Sequence, residues 1–547
     1  MHIQRNRSRY KDKQYTSVLL RQCYYEGGKI KQKTLANLSK LPEYLIRTIE
    51  LAIKREGIYY ELGDLRFEGG INFGDIGVIG DLIKEIGIDE DIYSKTTKER
   101  ETILMMIIGR ILHPSSKLEN TRWIKDREEA FSQIYPAVNY KRLKVDDLYE
   151  GLDWLERRKG QIEKKLYQKR GEPRLFLYDI TSSYLEGEKS EIGEYGYNRD
   201  KKRGKKQIVI GLTLDKEGYP IGVEVFKGNT ADQKTIKGKV EEMREKYGIE
   251  KAILIGDRGM ITEARMKDLE REGISFISCL THKKMEELIK RSEGPIQSGL
   301  FDKEIPIEIG YEGRRYILCK SEERCQEERN QLAGLLRKTK GKLAEIKRQV
   351  ERGRLKDPIK IGERVGKWKN RYNVGKYFIT EIGKGKFRYY LNREQLNLGK
   401  NLLGCYVVVT NLPPAGYTKQ EIIDNYRSLS LVDRAFRIIK TTLLNIRPIY
   451  HRKETRIRAH AFICMLSYYV VIEMKKRLKE LFQENGKGKN YSLTFENILS
   501  QLNKIQIGYI KIKDVYIQQL GEITPLQKKI LQLLDVKLKL NKQIIKH

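Results

Sequence analysis

The chain has 547 residues, with 108 Lys and Arg against 74 Asp and Glu, a formal net charge of +34. That length implies three or four domains rather than one core, and so strong a basic balance, spread along the chain, points to a polyanionic partner, with nucleic acid first. The polar start MHIQRNRSRYKDKQ argues against a secretory leader, the apolar run Ala459 to Met474 with His460 inside it is short for a bilayer span, and six cysteines without a CxxC pair argue against a disulfide scaffold or zinc site.

The expected class is therefore a cytoplasmic, nucleoid-associated protein with reduced thiols and no membrane partner. Residues 1–60 read as a β-hairpin module. YTSVLLRQCYY alternates, EGG turns, KIKQKTLANL returns, and a short helix follows Pro42. This module suits DNA contact or capping of a neighbour. Residues 61–172 carry helical spacing in GDIGVIGDLIKEIGI, KERETILMMIIGRILH and VDDLYEGLDWLERRKGQIEKKLYQK, with a break at His113-Pro114. This all-helical block, with Lys and Arg on its outer faces, is a candidate DNA-binding domain.

From Arg174 the period changes. PRLFLYD, KQIVIGLTLD and YPIGVEVF read as strands. A helix is expected over 231–247, then the strand KAILIGD, the helix EARMKDLEREG and the strand ISFISCL. The order β-β-β-α-β-α-β fits an α/β (mixed) fold with an RNase H-like core. Asp179 and Asp257 each close an apolar, β-branched run, and in a mixed sheet of this order the two ends can lie side by side. Either aspartate alone reads as readily as a turn residue or a helix cap. Residues 283–400 interrupt the pattern with a charged helical stretch and short strands, an insertion domain of mixed or β character. GCYVVVTN then returns the chain to the sheet, so the core comprises 173–282 and 401–480. A basic helical tail is expected over 481–547.

Within the second part of the core, Thr418 to Lys440 reads as one helix opened by a Thr418/Glu421 capping box. Tyr426, Asp433 and Lys440 are seven apart, and two helical turns drift by only ~20°. One edge of the helix would thus carry an aromatic, a carboxylate and an ammonium in line, with Arg437 one turn past Asp433. The same edge could be no more than a solvated face. Three carboxylates from distant segments suit a two-metal site for phosphodiester chemistry.

On these stretches the chain resembles the DDE transposases of bacterial insertion sequences. The likeness is to the superfamily with a Tyr…Arg…Glu…Lys signature helix, in the group with an N-terminal hairpin module. It is carried by YDITSSYLEG, GNTADQKT, LIGDRGM, VVVTNL, NYRSLSLVDRAFRIIK and RPIYHRKETRIRAHAF. The resemblance implies an RNase H-like core, an insertion domain between the second aspartate and the helix, double-stranded DNA at element ends and target, and a homodimer in the synaptic complex. It implies Mg²⁺ (Mn²⁺ can substitute) held by Asp179, Asp257 and Asp433. DNA phosphates would meet Tyr426, Arg437 and Lys440. Arg258 would do likewise or pair with a carboxylate. Asp433 stands where the family has Glu, and Leu429 where it often has Arg. Those departures keep open a structure-specific nuclease without strand transfer and an impaired DNA-binding relative. His451 and His460 read as structural.

Overall fold

Gly27 and Gly28 have φ of 61° and 76°, the left-handed values that a two-residue hairpin turn needs. They join β2 (Lys13–Glu26) to β3 (Lys29–Asn37), and β1 (His2–Tyr10) adds a third antiparallel strand. The computed structural model describes residues 1–10, 13–54, 65–197, 199–200, 202–231, 235–236, 245–249, 252–291, 306–483, 493–512, 515–540 and 544–546. The helix Glu43–Lys54 buries Ile46 against Val18 and Leu38 of this small sheet. Strand β4 (Leu65–Asn72) follows.

The block expected to be all helical over 61–172 is so only from residue 74, since 65–72 form strand β4; its main helices are Gly74–Glu85, Lys98–Leu112, Lys117–Asp126 and Val145–Lys169. Thr97 and Ser116 cap two of them, accepting from the amides of Arg100 and Glu119 at 3.3 and 3.2 Å. The helix Lys98–Leu112 stops before Pro114, whose ring disfavours helical geometry at His113.

The central sheet begins with β5 (Leu175–Tyr184), β6 (Gln207–Leu214) and β7 (Pro220–Lys227), which pair antiparallel in sequence order. Every residue of QIVIGLTL in β6 is buried, which is why that run is apolar throughout rather than alternating. β8 (Ile253–Ile255) runs parallel to β5, and β9 (Ser275–Cys279) parallel to β8. The helix expected over 231–247 lies largely outside the described residues. Strands β10 (Ile307–Tyr311) and β11 (Arg314–Lys320) fall in the segment expected as an insertion. They instead extend this sheet: β11 pairs with β10 on one side and with the strand Cys405–Thr410 on the other, and six of the seven residues of RRYILCK are buried. The insertion proper holds the helices Glu322–Glu351 and Pro358–Arg371, the hairpin β12 (Phe378–Gly383) and β13 (Lys386–Leu391), and the helix Arg393–Asn401. It has its own apolar cluster around Leu343, Ile361 and Phe387. β14 (Cys405–Thr410) re-enters between β11 and β9, giving the order β10-β11-β14-β9-β8-β5-β6-β7.

The expected single helix from Thr418 to Lys440 is three pieces. Lys419–Arg427 is α-helical, Ser430–Arg437 is α-helical, and 438–442 is a π turn. Between the first two, Leu431 and Val432 donate to the carbonyls of Ser428 and Leu429, a tighter i→i+3 turn. The capping box is present: the Thr418 side chain accepts from the Glu421 amide at 3.2 Å, and Glu421 accepts from the Thr418 amide at 2.8 Å. The helix Glu454–Arg477 is long and apolar enough by length and composition to cross a membrane, contrary to the shorter run read from sequence. Phe462, Ile463, Cys464, Met465 and Leu466 on it are nonetheless fully buried, against the helices Lys98–Leu112 and Val145–Lys169 and strand β7.

The expected helical tail is also different. Helices Phe495–Asn503 and Pro525–Leu534 flank β15 (Gln506–Ile512) and β16 (Val515–Leu520), and β17 (Ile544–Lys546) follows. β15 pairs with β4 and β16, so residues 504–523 and 539–547 join residues 1–73 in one unit. Residues 74–503 and 524–538 form the other.

Candidate active site

The parallel pairing of β5 with β8 ends at Leu177 opposite Ile255. Asp179 and Asp257 are each two residues further on, so equal register carries both carboxylates to the same edge of the sheet. Asp179 does not end its strand. β5 continues to Tyr184 because β6 still pairs with it, Asp179 facing Leu212. Asp257 lies past the end of β8, exposed, with its Oδ1 accepting from the Arg258 amide at 2.7 Å.

The helix Ser430–Arg437 packs on β5 and β6, and Val432, Ala435 and Phe436 are its buried side. Asp433 projects from it into a cavity of about 710 Å³ that Asp179 and Asp257 also line. The carboxylates sense one another. Burial first, then Asp433 and Asp257, push Asp179 up to about 7, against an opposing pull from Arg199. Burial and Asp257 also raise Asp433, and Arg437 lowers it. Tyr426 lines the same cavity, its ring 6.3 Å from that of Tyr406 in a stacked arrangement. Burial, then Cys279 and Asp257, raise its phenol, while Arg258 opposes them.

Lys440 does not line that cavity. The tight turn and the π turn change the phase of the helix, so the edge read from seven-residue spacing is split. Lys440 Nζ donates to Thr181 Oγ1 at 3.0 Å and to the Ser182 carbonyl at 2.7 Å, and pairs with Asp200 at 2.8 Å. Arg447 pairs with the same Asp200 at 3.4 Å. Arg437 and Arg258 are exposed beside Asp433 and Asp257. His451 and His460 lie in another cluster, their rings 5.3 Å apart, and burial pushes His451 down to about 3.

Among the described residues, no three His, Cys, Asp or Glu side chains form a ready-made metal cluster. The three aspartates share a cavity without closing a cage.

The family described as Transposase DDE domain matches residues 170–470, more than half of the chain. The chain belongs to the DDE transposases of bacterial insertion sequences. A second family, described as IS1634 family transposase, N-terminal domain, matches residues 3–61. Among solved structures, this transposase is similar to one described as a piggyBac transposase synaptic complex with hairpin DNA. That match is 10% identical, covers 79% of this chain and 80% of the other, and has a TM-score of 0.34. None of the curated proteins matches.

The transposase's cavity has a second wall that the sequence did not announce. Lys320 at the end of β11, Ser321, Glu322 and Arg324 at the start of the charged helix, and Arg427 face the aspartates. The one signal available was the abrupt change from an apolar strand to SEER at Ser321.

Proposed function

We propose that this transposase cuts DNA at the ends of its element by Mg²⁺-dependent phosphodiester cleavage and joins those ends to target DNA. Asp179, Asp257 and Asp433 would hold the metal, and Mn²⁺ can replace it. One observation carries this reading: aspartates from a strand, a loop and a helix, far apart in sequence, line one cavity. The donor set fits. It is all oxygen, its members raise one another's proton affinity as like charges do, and hard divalent ions take such ligands. When bound, the ions supply Lewis acidity to the attacking and leaving oxygens of a phosphodiester.

The remaining tasks fall to the chain. Asp179 is fixed on one side by the pairing of β5 with β6, two residues beyond the end of the β5–β8 pairing. Lys440, bonded to Thr181 and Ser182, holds the stretch of β5 just beyond Asp179 and acts as a positioning residue. Tyr426 walls the cavity. Arg258 and Arg437 offer exposed cations beside two of the aspartates, and Lys320, Arg324 and Arg427 do so from the opposite wall, an arrangement suited to phosphate oxygens. We assign β5 to β9 with β14 to an RNase H-like core, residues 61–172 to DNA binding, and the working form to a homodimer on duplex DNA.

The test is nicking of duplex DNA. Asp179→Ala or Asp257→Ala abolishes Mg²⁺-dependent nicking while duplex affinity and its salt slope stay unchanged, because spread-out Lys and Arg carry binding. Retained nicking in either variant removes that residue from the site.

A further inference from the structure

One stretch of the N-terminal unit has no core on either side. The pairing of β1 with β2 stops at His2 opposite Arg21, and β2 and β3 run on as a two-stranded ribbon, Gln22–Glu26 against Lys29–Lys33. Every residue of the ribbon is exposed, with Tyr25 at 79% and Ile30 at 62%. A bare hairpin of this kind is marginal in water.

The register sorts its side chains. Val18 and Leu20 of β2 pack with Ile46 of the helix Glu43–Lys54, beside Ile3 and Ala36. Side chains alternate along a strand, and cross-strand partners share a face. The helix side of the ribbon therefore carries Gln22, Tyr24 and Glu26 opposite Lys33, Lys31 and Lys29. The open side carries Arg21, Cys23 and Tyr25 opposite Thr34, Gln32 and Ile30, and continues over Gln4 and Asn6 of β1. The hydrogen bonds agree with this sorting: Arg21 Nη1 donates to Gln4 Oε1 at 2.6 Å, and Gln4 Nε2 donates to Asn6 Oδ1 at 3.0 Å. Among the described residues, no carboxylate pairs with Arg21, Lys29 or Lys33, and no group bonds the Gln32 amide. Residues 1–40 hold ten Lys and Arg against Asp12 and Glu26. Like charge on that scale disfavours a second copy of the ribbon as its cover and favours a polyanion.

We propose that this ribbon lies in the major groove of duplex DNA and gives the transposase its sequence preference, Gln32 and Arg21 meeting base edges and the lysines meeting phosphates. The dimensions fit. The groove, about 12 Å wide, admits a two-stranded ribbon, and five residues span ~17 Å, about five base pairs. The chemistry fits on each side. Gln presents a donor and an acceptor together, as the adenine edge does; Arg donates to guanine; Ile30 and the Thr34 methyl suit the methyl group of thymine. Lys29 and Lys33, on flexible stems, offer point charges that carry no sequence information. The proposal rests on this transposase acting on DNA and is independent of the metal assignment.

Binding of the full chain in EDTA tests it, where no divalent ion and no cleavage intervene. Duplexes with a randomised centre are selected on the parent, and the selected duplex is compared with a scrambled one of equal composition. The parent prefers the selected duplex. Building that duplex with 7-deazapurines, which removes N7 acceptors from the major groove alone, abolishes the preference. Gln32→Ala loses about tenfold or more in affinity for the selected duplex and nothing for the scrambled one, the loss of one bidentate base contact. Lys33→Ala weakens both duplexes alike and makes the salt slope shallower by about one phosphate. Both side chains are exposed, so Tm stays unchanged. Binding of duplexes without any preference overturns the proposal alone, and no binding overturns the DNA reading with it. The proposal also fails if Gln32→Ala or the 7-deazapurine duplex keeps the whole preference. It fails too if Tyr25→Ser with Ile30→Ser changes the sedimentation of the protein and not its preference, since the ribbon would then join two copies.

Discussion

Asp179 sits where a carboxylate is costly to the fold. Its pKa rises from the ordinary 3.8 to about 7 on folding, chiefly by burial. The folded state then holds a proton that the unfolded chain has lost, so stability falls as pH rises between those two values. Above about pH 7 the cost is complete, ~4 kcal/mol as an upper bound in protein without metal. Asp179→Asn should therefore raise the stability of metal-free protein at pH 8, and the gain should vanish near pH 4. Added Mg²⁺ should stabilise the parent and not the Asn variant. Urea titrations at the two pH values decide it; an equal effect at both would mean burial does not set this carboxyl. Burial also works against the charge of Lys440, lowering its proton affinity by more than Asp200 restores, but removing one partner of a buried pair still carries a cost. Lys440 and Asp200 are 11% and 7% exposed, and breaking a buried pair costs roughly 3–5 kcal/mol. Arg447 remains to offset part of that. Lys440→Met should lower Tm and leave the salt slope of duplex binding unchanged; a smaller slope at unchanged Tm would make Lys440 a DNA contact instead. Asp179 and Asp257 were legible in the sequence because each closes an apolar run. The tie of Lys440 to β5 was not, since nothing local relates it to Asp200, Thr181 and Ser182.

The helix that carries Asp433 shows what periodicity can and cannot tell. Its apolar stripe and capping box stand as read, and Ile422, Ile423, Val432, Ala435, Phe436 and Ile439 are buried. Its straightness does not. Ser428 Oγ donates to the Asn425 carbonyl at 2.6 Å where the turn tightens, a local bond that competes with helix continuation and leaves no trace in hydrophobic spacing. The strands of the sheet were readable from their apolar runs. That β10 and β11 belong to it was not, because edge pairing depends on a partner some 90 residues later. The join between the insertion and β14 rests on Gly404. Its φ is 74°, and an added Cβ would lie 2.5 Å from the Ser321 carbonyl oxygen. Ser321 donates to the Gly404 carbonyl at 2.9 Å, and Gly404 donates to Glu328 at 2.8 Å. Gly404→Ala should cost about 1–3 kcal/mol, by strain and by displacing Ser321 and Arg324 from the cavity wall. Gly313→Ala, with φ of 75° but open space around it, should cost less. Denaturant unfolding of both variants checks this; equal losses would show that backbone conformation alone, and not the close approach, sets the cost.

The net charge of +34 pointed to a polyanion, and the family that matches residues 170–470 handles DNA by way of its transposase activity. The sequence did not reveal how the ends of the chain are shared. β4 pairs with β15 across more than 400 residues, and pairing at that range has no local signature. Nor did hydropathy distinguish a bilayer from a protein interior for the helix Glu454–Arg477, since both are apolar; the helices and strand packed around it make the distinction. Asp433 joins these levels, being a single residue on an irregular helix that completes the cavity. If, as the resemblance implies, it stands where the family has Glu, it is one methylene shorter, and Mg²⁺ tolerates ligand distances poorly. Cleavage of duplex DNA by Asp433→Ala and Asp433→Glu, each with Mg²⁺ and with the more forgiving Mn²⁺, puts the three-aspartate site to trial. Asp433→Ala should be inactive with both ions, and Asp433→Glu should retain or gain activity. Cleavage by Asp433→Ala at the parent's rate would contradict the assignment.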